Sequence, residues 1–255
     1  MPRLNTLSRV QRCVRHAKQT LNSKEFYPRS SSHLDLVLLA LISKSIITSE
    51  AVCSLVGSGY HEEAFGLTRT LVDLYFTVRY ISNKDSLDRA EKFANFFARD
   101  YEGWIQVIRK YYPKKDVGLP RHHTEMVTLA KSYRHPHKWT GLGDQTRQMA
   151  DEPSAHEQTP SGDPVDARFN YEVIYKWTSH YVHPTVVALD THAIELGGKF
   201  FVHAGKLRGK RFKNLSLFNV VTCLAKILVC GMRGLGSKIP KDLDEELDHL
   251  IRTIK

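Results

Sequence analysis

The stretch "LDLVLLALISKSIITSEAVCSLVG", residues 34–57, carries apolar side chains around most of a helical circumference and is broken mainly by Lys44 and Glu50. A helix of that kind has to be enclosed by other elements. It is too interrupted for the roughly 20 clean apolar residues of a membrane span, so it reads as a buried core helix from about Leu34 to Val56, ended by "GSGY". The rest of the chain must supply the neighbours that cover it.

Helical periodicity supplies them. Leu4, Leu7, Val10, Val14, Ala17 and Leu21 recur at helical spacing over 4–22, with Arg9, Arg12, Arg15 and Lys18 covering the rest of that surface. "HEEAFGLTRTLVDLYFTVRYI" places Ala64, Leu67, Leu71, Leu74 and Val78 on one stripe, and Glu62, Gly66, Arg69 and Asp73 on a second ridge. The glycine in that ridge lets another backbone come close, and Arg69 and Asp73 are spaced to pair.

"SNKDSLDRAEKFANFFARDYEGWIQVIRKYY" predicts one long helix with Phe93, Phe96, Phe97, Tyr101, Trp104 and Ile108 facing inward. A shorter helix is expected near 121–133, then a long loop over 134–165 with one turn at "LGDQTRQMA". A helix follows from about Asp166 to Val182, and Pro184 can begin another at "PTVVALDTHAIEL". The pattern turns extended near 199–212, where a small hairpin is expected, and closes with helices near 214–234 and 240–254. The expectation is an all-α bundle of about seven or eight helices forming one domain over 1–255.

Lys and Arg number 37 against 27 Asp and Glu, a net charge of +10 that favours anionic partners. Cys13, Cys53, Cys223 and Cys230 form no C-x-x-C pair, which argues against a zinc ribbon or a disulfide framework and for reduced, buried thiols. No signal peptide is expected from the basic N-terminus, and the location expected is cytoplasmic.

The chemistry-bearing residues concentrate in "YKWTSHYVHPTV", 175–186. Glu172, Tyr175, Ser179 and His183 share one helical face, while His180 lies off it. If that face meets the ridge of Arg69 and Asp73, the two form a polar network in a core or a cleft. A histidine near a helix C-terminus also satisfies terminal carbonyls without any substrate, so a purely structural role stays open.

Trp139 in "WTGL", "TRQMA" at 146–150, Tyr171, Tyr175, Ser179 and His183-Pro184, together with "AFGLTRTLVDLYFTVRYI" upstream, resemble the prokaryotic domain of unknown function family 5677 over about 50–195. Asp73 stands where the family commonly has Glu, a shorter carboxylate that must be approached more closely. More distantly the chain resembles helical HEPN-like modules, several of which are ribonucleases of toxin or phage-defence systems. That resemblance implies a metal-independent RNA-cleaving or RNA- or nucleotide-binding effector that forms a homodimer and can have a cognate partner protein.

The candidate residues are His183, Arg69, Asp73 and Ser179 for catalysis, assembled across helices, with Tyr175, Tyr171, Arg147 and Trp139 for binding and Lys206, Arg208, Lys210 and Arg211 from the basic stretch after residue 199. The Arg-x(4 to 6)-His motif of those ribonucleases is matched only by Arg9 and His16, in a helix already dense with basic residues. No cofactor and no metal are expected: the 13 histidines include no H-E-x-x-H, and E-x-x-H occurs once, at Glu246–His249. "KFFVHAGKLRGKRFK", 199–213, holds six Lys or Arg and three Phe, suited to phosphates and bases or to a solvated rim. The alternative to an effector is a non-enzymatic helical adaptor whose polar network fixes helix register.

Overall fold

The computed structural model describes residues 5–23, 32–113, 123–133, 138–152, 167–183, 192–196, 199–202 and 209–254. Its helices are α1 (Thr6–Leu21), α2 (His33–Ser58), α3 (His61–Asn83), α4 (Ser86–Asn95), α5 (Phe97–Tyr111), α6 (His123–Ser132) and α7 (Gln145–Asp151). The short α8 (Ala167–Phe169) runs through a π-helical stretch, Asn170–Tyr175, into α9 (Lys176–Val182); α10 (Lys210–Gly234) and α11 (Lys241–Thr253) close the chain. The architecture is an all-α bundle carrying one two-stranded hairpin.

Enclosure of α2 is the organising fact. Leu38, Ile42, Ile46 and Val52 are fully buried, and α2, α3 and α10 pack on one another as the central scaffold. Glycines set the approach of α10: a Cβ at Gly231 would sit 2.7 Å from Ile42 Cδ1, and one at Gly234 2.7 Å from Leu38 Cδ1. Gly59, at φ 86°, ends α2, with Tyr60 N–H donating to the Leu55 carbonyl at 2.9 Å. By length and composition α2 and α10 could each cross a membrane; here their apolar faces meet inside the bundle.

α1 buries Val10, Cys13, Val14 and Ala17 and docks on α2 and α11. Arg12 pairs with Glu246 at 3.0 Å, and His16 bridges Glu246 (3.0 Å) and Asp242 (3.2 Å). Arg9 donates to Thr253. The Arg9/His16 spacing is thus absorbed by helix docking. All four cysteines are buried, and burial pushes the Cys13, Cys53 and Cys223 thiols up to about 12, keeping them protonated.

Several local expectations are corrected. The long helix after α3 breaks at Phe96, where the Arg99 N–H reaches back to the Phe96 carbonyl at 2.9 Å in a tighter turn. The break rotates α5, so Ala98 and Ile105 face inward while Phe97 and Trp104 are exposed. "GDQTRQMA" forms the two-turn helix α7 and not a single turn.

The hairpin pairs Ala193–Leu196 antiparallel with Lys199–Val202. It therefore lies earlier than expected: Lys210, Arg211 and Phe212 already belong to the first turn of α10. The strand over 193–196 also excludes a helix reaching Leu196 from Pro184; residues 184–191 lie outside the described ones.

Arginines bind α7 to the scaffold. Arg79, 3% exposed on α3, donates to the Met149 carbonyl at 2.8 Å and to that of Glu152, while Arg89 on α4 pairs with both Glu152 oxygens at 2.7 and 2.9 Å. Asn83 adds a bond at 2.6 Å. Burial alone would raise the Glu152 carboxyl, but the bonds from Arg89 and Asn83 outweigh it and hold the pKa below 4.5. The pair therefore stabilises the fold fully above 4.5 and loses that contribution as pH falls through the depressed value. Glu152→Ala leaves Arg89 buried without its carboxylate and is expected to cost about 3 kcal/mol in urea unfolding at neutral pH, with the difference from wild type shrinking in acid.

Candidate functional site

The site begins at a helix crossing. A Cβ on Gly66 would meet the Tyr181 carbonyl oxygen at 3.2 Å and Tyr181 Cβ at 3.4 Å, so α9 lies directly on the α3 backbone at that turn. Phe65 packs there edge-on against Trp177 and Tyr181, at centroid distances of 5.1 and 5.4 Å. One turn further along α3, Arg69 reaches α9: its Nε donates to Ser179 Oγ at 2.8 Å, and Nη2 donates to the Tyr175 hydroxyl. Nη1 lies 3.4 Å from Asp73 Oδ2, and the guanidinium carbon stands 4.4 Å from the centre of the Tyr175 ring. The two ridges meet through Arg69, Ser179 and Tyr175.

The π-helical turn adds a layer. The Lys176 N–H bonds the Tyr171 carbonyl, five residues back. Hydroxyls serve the carbonyls of the same stretch: Thr178 donates to Ile174 at 2.7 Å and Ser179 to Tyr175 at 2.6 Å. Tyr171 and Tyr175 stack with centroids 5.1 Å apart and 20° between planes. Glu172, placed on this face by an even 3.6-residue period, instead turns outward and pairs with Lys176.

Tyr171 donates to Asp144 Oδ2 at 3.2 Å, and Asp144 Oδ1 caps α7 by accepting the Arg147 N–H at 3.2 Å. Burial and Asp144 push the Tyr171 hydroxyl up to about 12, so it stays a donor. Asp144 is a site residue that periodicity missed; the signal was available, since Asp three residues before Arg147 at a helix start is a capping arrangement.

The electrostatics single out Asp73. Its side chain keeps 38% of its surface at the rim of the crossing, and the protein mass on its other sides removes enough water to raise the carboxyl to about 6 against the pull of Arg69. Arg69 is 22% exposed at its side chain. A cation and a carboxylate that titrates near neutrality thus share one partly open edge. Ser179 has its proton committed to the Tyr175 carbonyl while it accepts from Arg69, so it positions the guanidinium and is not set up as a nucleophile.

The remaining candidates separate. His183 caps α9, its N–H on the Ser179 carbonyl at 3.1 Å, and its side chain is exposed; among the described residues no hydrogen bond or ion pair joins it to Arg69. Arg147 lies 3.5 Å from Asp151 on α7. Trp139 is a core residue, 7% exposed and edge-on to Tyr80 and Phe93 at 5.6 and 5.2 Å, away from the Arg69 crossing. Lys210 and Arg211 are exposed on the first turn of α10, Arg211 standing 4.9 Å from the centre of the Trp177 ring on α9. Lys206 and Arg208 lie outside the described residues. Among the described residues no group of three or more His, Cys, Asp or Glu could hold a metal ion.

The model of a family of unknown function, DUF5677, matches residues 35–200. The chain belongs to the DUF5677 family. The match begins with α2 and ends in the second strand, so the α3/α9 crossing with Arg69, Asp73, Tyr171, Tyr175 and Ser179 falls inside the DUF5677 region, while α1, α10 and α11 flank it. No curated protein and no solved structure gives a significant match.

Two outcomes check this geometry. Gly66→Ala forces α9 away from α3 and is expected to cost about 1–3 kcal/mol and to loosen the Arg69 contacts, read as a lowered melting temperature and a changed near-ultraviolet signal from the tyrosines. Because the folded Asp73 pKa is raised from 3.8 to about 6, the folded state holds a proton that the unfolded chain has released. Stability falls as pH rises across that window and levels off above it. Carbon-13 carboxyl titration should place Asp73 near 6, and Asp73→Asn should remove that slope.

Proposed function

We propose that the protein engages RNA or a nucleotide at the Arg69, Asp73 and Tyr175 edge and acts there as a metal-independent ribonuclease-type effector, of the kind found in prokaryotic toxin and phage-defence systems. The observation that carries this reading is the pairing of a partly exposed guanidinium with a carboxylate whose pKa is raised to about 6. Arg69 suits the charge that builds on a phosphate during transfer, and Asp73 suits a general base working near neutral pH.

In the reaction this predicts, Asp73 takes the proton of a ribose 2′-hydroxyl and the 2′-oxygen attacks the adjacent phosphorus. The bond to the 5′-oxygen breaks, and His183, one turn beyond Ser179, supplies the proton to the leaving oxygen. The products are a 2′,3′-cyclic phosphate and a free 5′-hydroxyl. Arg211, next to α9 through Trp177, and its neighbour Lys210 add phosphate contacts, and the net charge of +10 draws the polyanion in.

A second reading has its own support. Each guanidinium nitrogen of Arg69 already faces a protein acceptor: Ser179, Tyr175 or Asp73. That satisfied network suits a non-enzymatic adaptor whose helices are held in register.

The test is cleavage and binding of single-stranded RNA by wild type, Arg69→Ala, Asp73→Asn and His183→Ala, each checked for an unchanged fold by circular dichroism. The ribonuclease reading expects losses of about 100-fold or more for each variant, a wild-type rate that climbs through pH 6 as Asp73 ionises, and loss of that limb in Asp73→Asn. A wild type that neither binds nor cleaves RNA at low salt selects the adaptor.

A further inference from the structure

Beyond the α3/α9 site, aromatic side chains gather on one outward surface. Among the described residues α5 packs mainly on α6, and the two helices form an arm at the end of α4. Ala98 and Ile105 turn toward the interior of that arm, while Phe97, Trp104 and Tyr111 stand outside at 56, 60 and 68% exposure. Each is seven residues from the next, two helical turns, so the rings form one ridge about 21 Å long.

A basic ridge runs beside the aromatic one. Arg99 and Lys110, with Gln106 between them, project about a third of a turn away on the same helix. Asp100, Gly103 and Val107 form the strip between, and with Trp104 these residues line a groove of about 490 Å³. A Cβ on Gly103 would meet nothing within 4 Å, so helix packing does not require the glycine; it lowers the floor of the groove. In the groove two cations face one carboxylate, and among the described residues no ion pair ties up Arg99, Asp100 or Lys110. The remaining charges of α5, Glu102 and Arg109, lie beyond the basic ridge and are opposite in sign, with Glu102 accepting from Gln106 at 3.1 Å.

We infer that this groove holds a single strand of nucleic acid, its bases on the aromatic ridge and its phosphates on Arg99 and Lys110, as a binding site separate from the Arg69 edge. The inference rests on the proposed engagement of RNA, though not on cleavage. Exposed rings stack on any unpaired base, and flanking cations track the backbone; the bases of a duplex are already stacked on one another. Asp100 repels phosphate from the aromatic side and keeps the backbone on the basic ridge. A base lying on Trp104 turns its edge toward Asp100, which accepts only from a donor. Cytosine presents an amino group there and uracil a carbonyl oxygen, so Asp100 selects cytosine. A lipid surface is disfavoured because Asp100 would enter the apolar layer together with Phe97 and Trp104.

The experiment is fluorescence anisotropy of the full chain with end-labelled oligocytidylate and oligouridylate of about 12 nucleotides. Both are 2′-O-methylated, so that no 2′-hydroxyl is available for attack. The wild type is expected to bind both, cytidylate more tightly by about threefold or more. Trp104→Ala should weaken both by about tenfold or more, and Arg99→Ala and Lys110→Ala should each reduce the slope of log affinity against log salt by about 0.7, all with unchanged melting curves. Asp100→Ala should erase the preference for cytidylate. If Arg69→Ala weakens binding while Trp104→Ala and Lys110→Ala do not, the strand is held at the α3/α9 edge alone: the inference falls and the proposed function stands. A wild type that binds neither strand at low salt overturns both. Equal affinity of the wild type for the two strands overturns the placement of a base edge against Asp100. Binding to phosphatidylserine vesicles that depends on Trp104, with oligonucleotide binding that does not, assigns the ridge to a lipid surface and also overturns the inference.

Discussion

Everything at the α3/α9 crossing depends on the missing side chain at Gly66. A glycine within a helix costs roughly 1 kcal/mol of propensity, and here that cost is offset by contact. With no Cβ in the way, α9 settles until the Tyr181 backbone lies against α3, and Phe65, Trp177, Tyr181 and Phe212 close into one aromatic group. Aromatic pairs of this geometry each add about 0.5–1.5 kcal/mol beyond their burial. The distance from Arg69 to Ser179 follows from that seating, because both stand one turn or less from the crossing on rigid helices.

The polar half of the crossing is specific where the apolar half is tight. Arg69 has a planar fork of donors, and it meets a hydroxyl from each of two residues on α9 and its π-helical lead-in, plus a carboxylate from its own helix. A slip of either helix by one residue would leave a partly buried guanidinium without acceptors, at a cost of several kcal/mol. The network therefore fixes register whether or not a ligand ever reaches it. The network is not fully enclosed: Arg69 and Asp73 reach the rim, where their side chains keep 22% and 38% of their surface exposed.

Much of this was legible in the sequence. The buried α2, the two faces of α3 and the shared face of Tyr175 and Ser179 follow from helical spacing, because each lies in a periodic segment; that this face meets Arg69 is left open by spacing and comes from the packing of α9 on α3. What failed had no such periodicity to phase it. Trp139 stands in a turn-rich stretch where spacing says nothing about direction, and the fold uses it as a core plug between Tyr80 and Phe93. The break at Phe96 involves neither Gly nor Pro, so spacing gives no sign of it: Phe93 and Phe96 pack on the core as expected, while Phe97 and Trp104 beyond it are exposed. Arg79 and Arg89 were passed over because charged residues on an inward face contradict the apolar pattern; only the carbonyls at the end of α7 and the carboxylate of Glu152 explain them.

The π-helical turn links these points. An even 3.6-residue period assigns Glu172, Tyr175 and Ser179 to one face, but the wider turn over Asn170–Tyr175 directs Glu172 outward to Lys176 and leaves Tyr171 stacked on Tyr175. The consequence is electrostatic. A carboxylate beside Tyr175 would have competed with Asp73 for Arg69 and added a second negative charge to the site. With a neutral tyrosine in its place, Arg69 and Asp73 together carry no net charge above about pH 6 and one positive charge below it. An anion bound there would raise the Asp73 pKa further, because the proton relieves its repulsion from the carboxylate. Proton uptake and the binding of any anion would then be coupled at one residue, protonated Asp73 favouring the bound state.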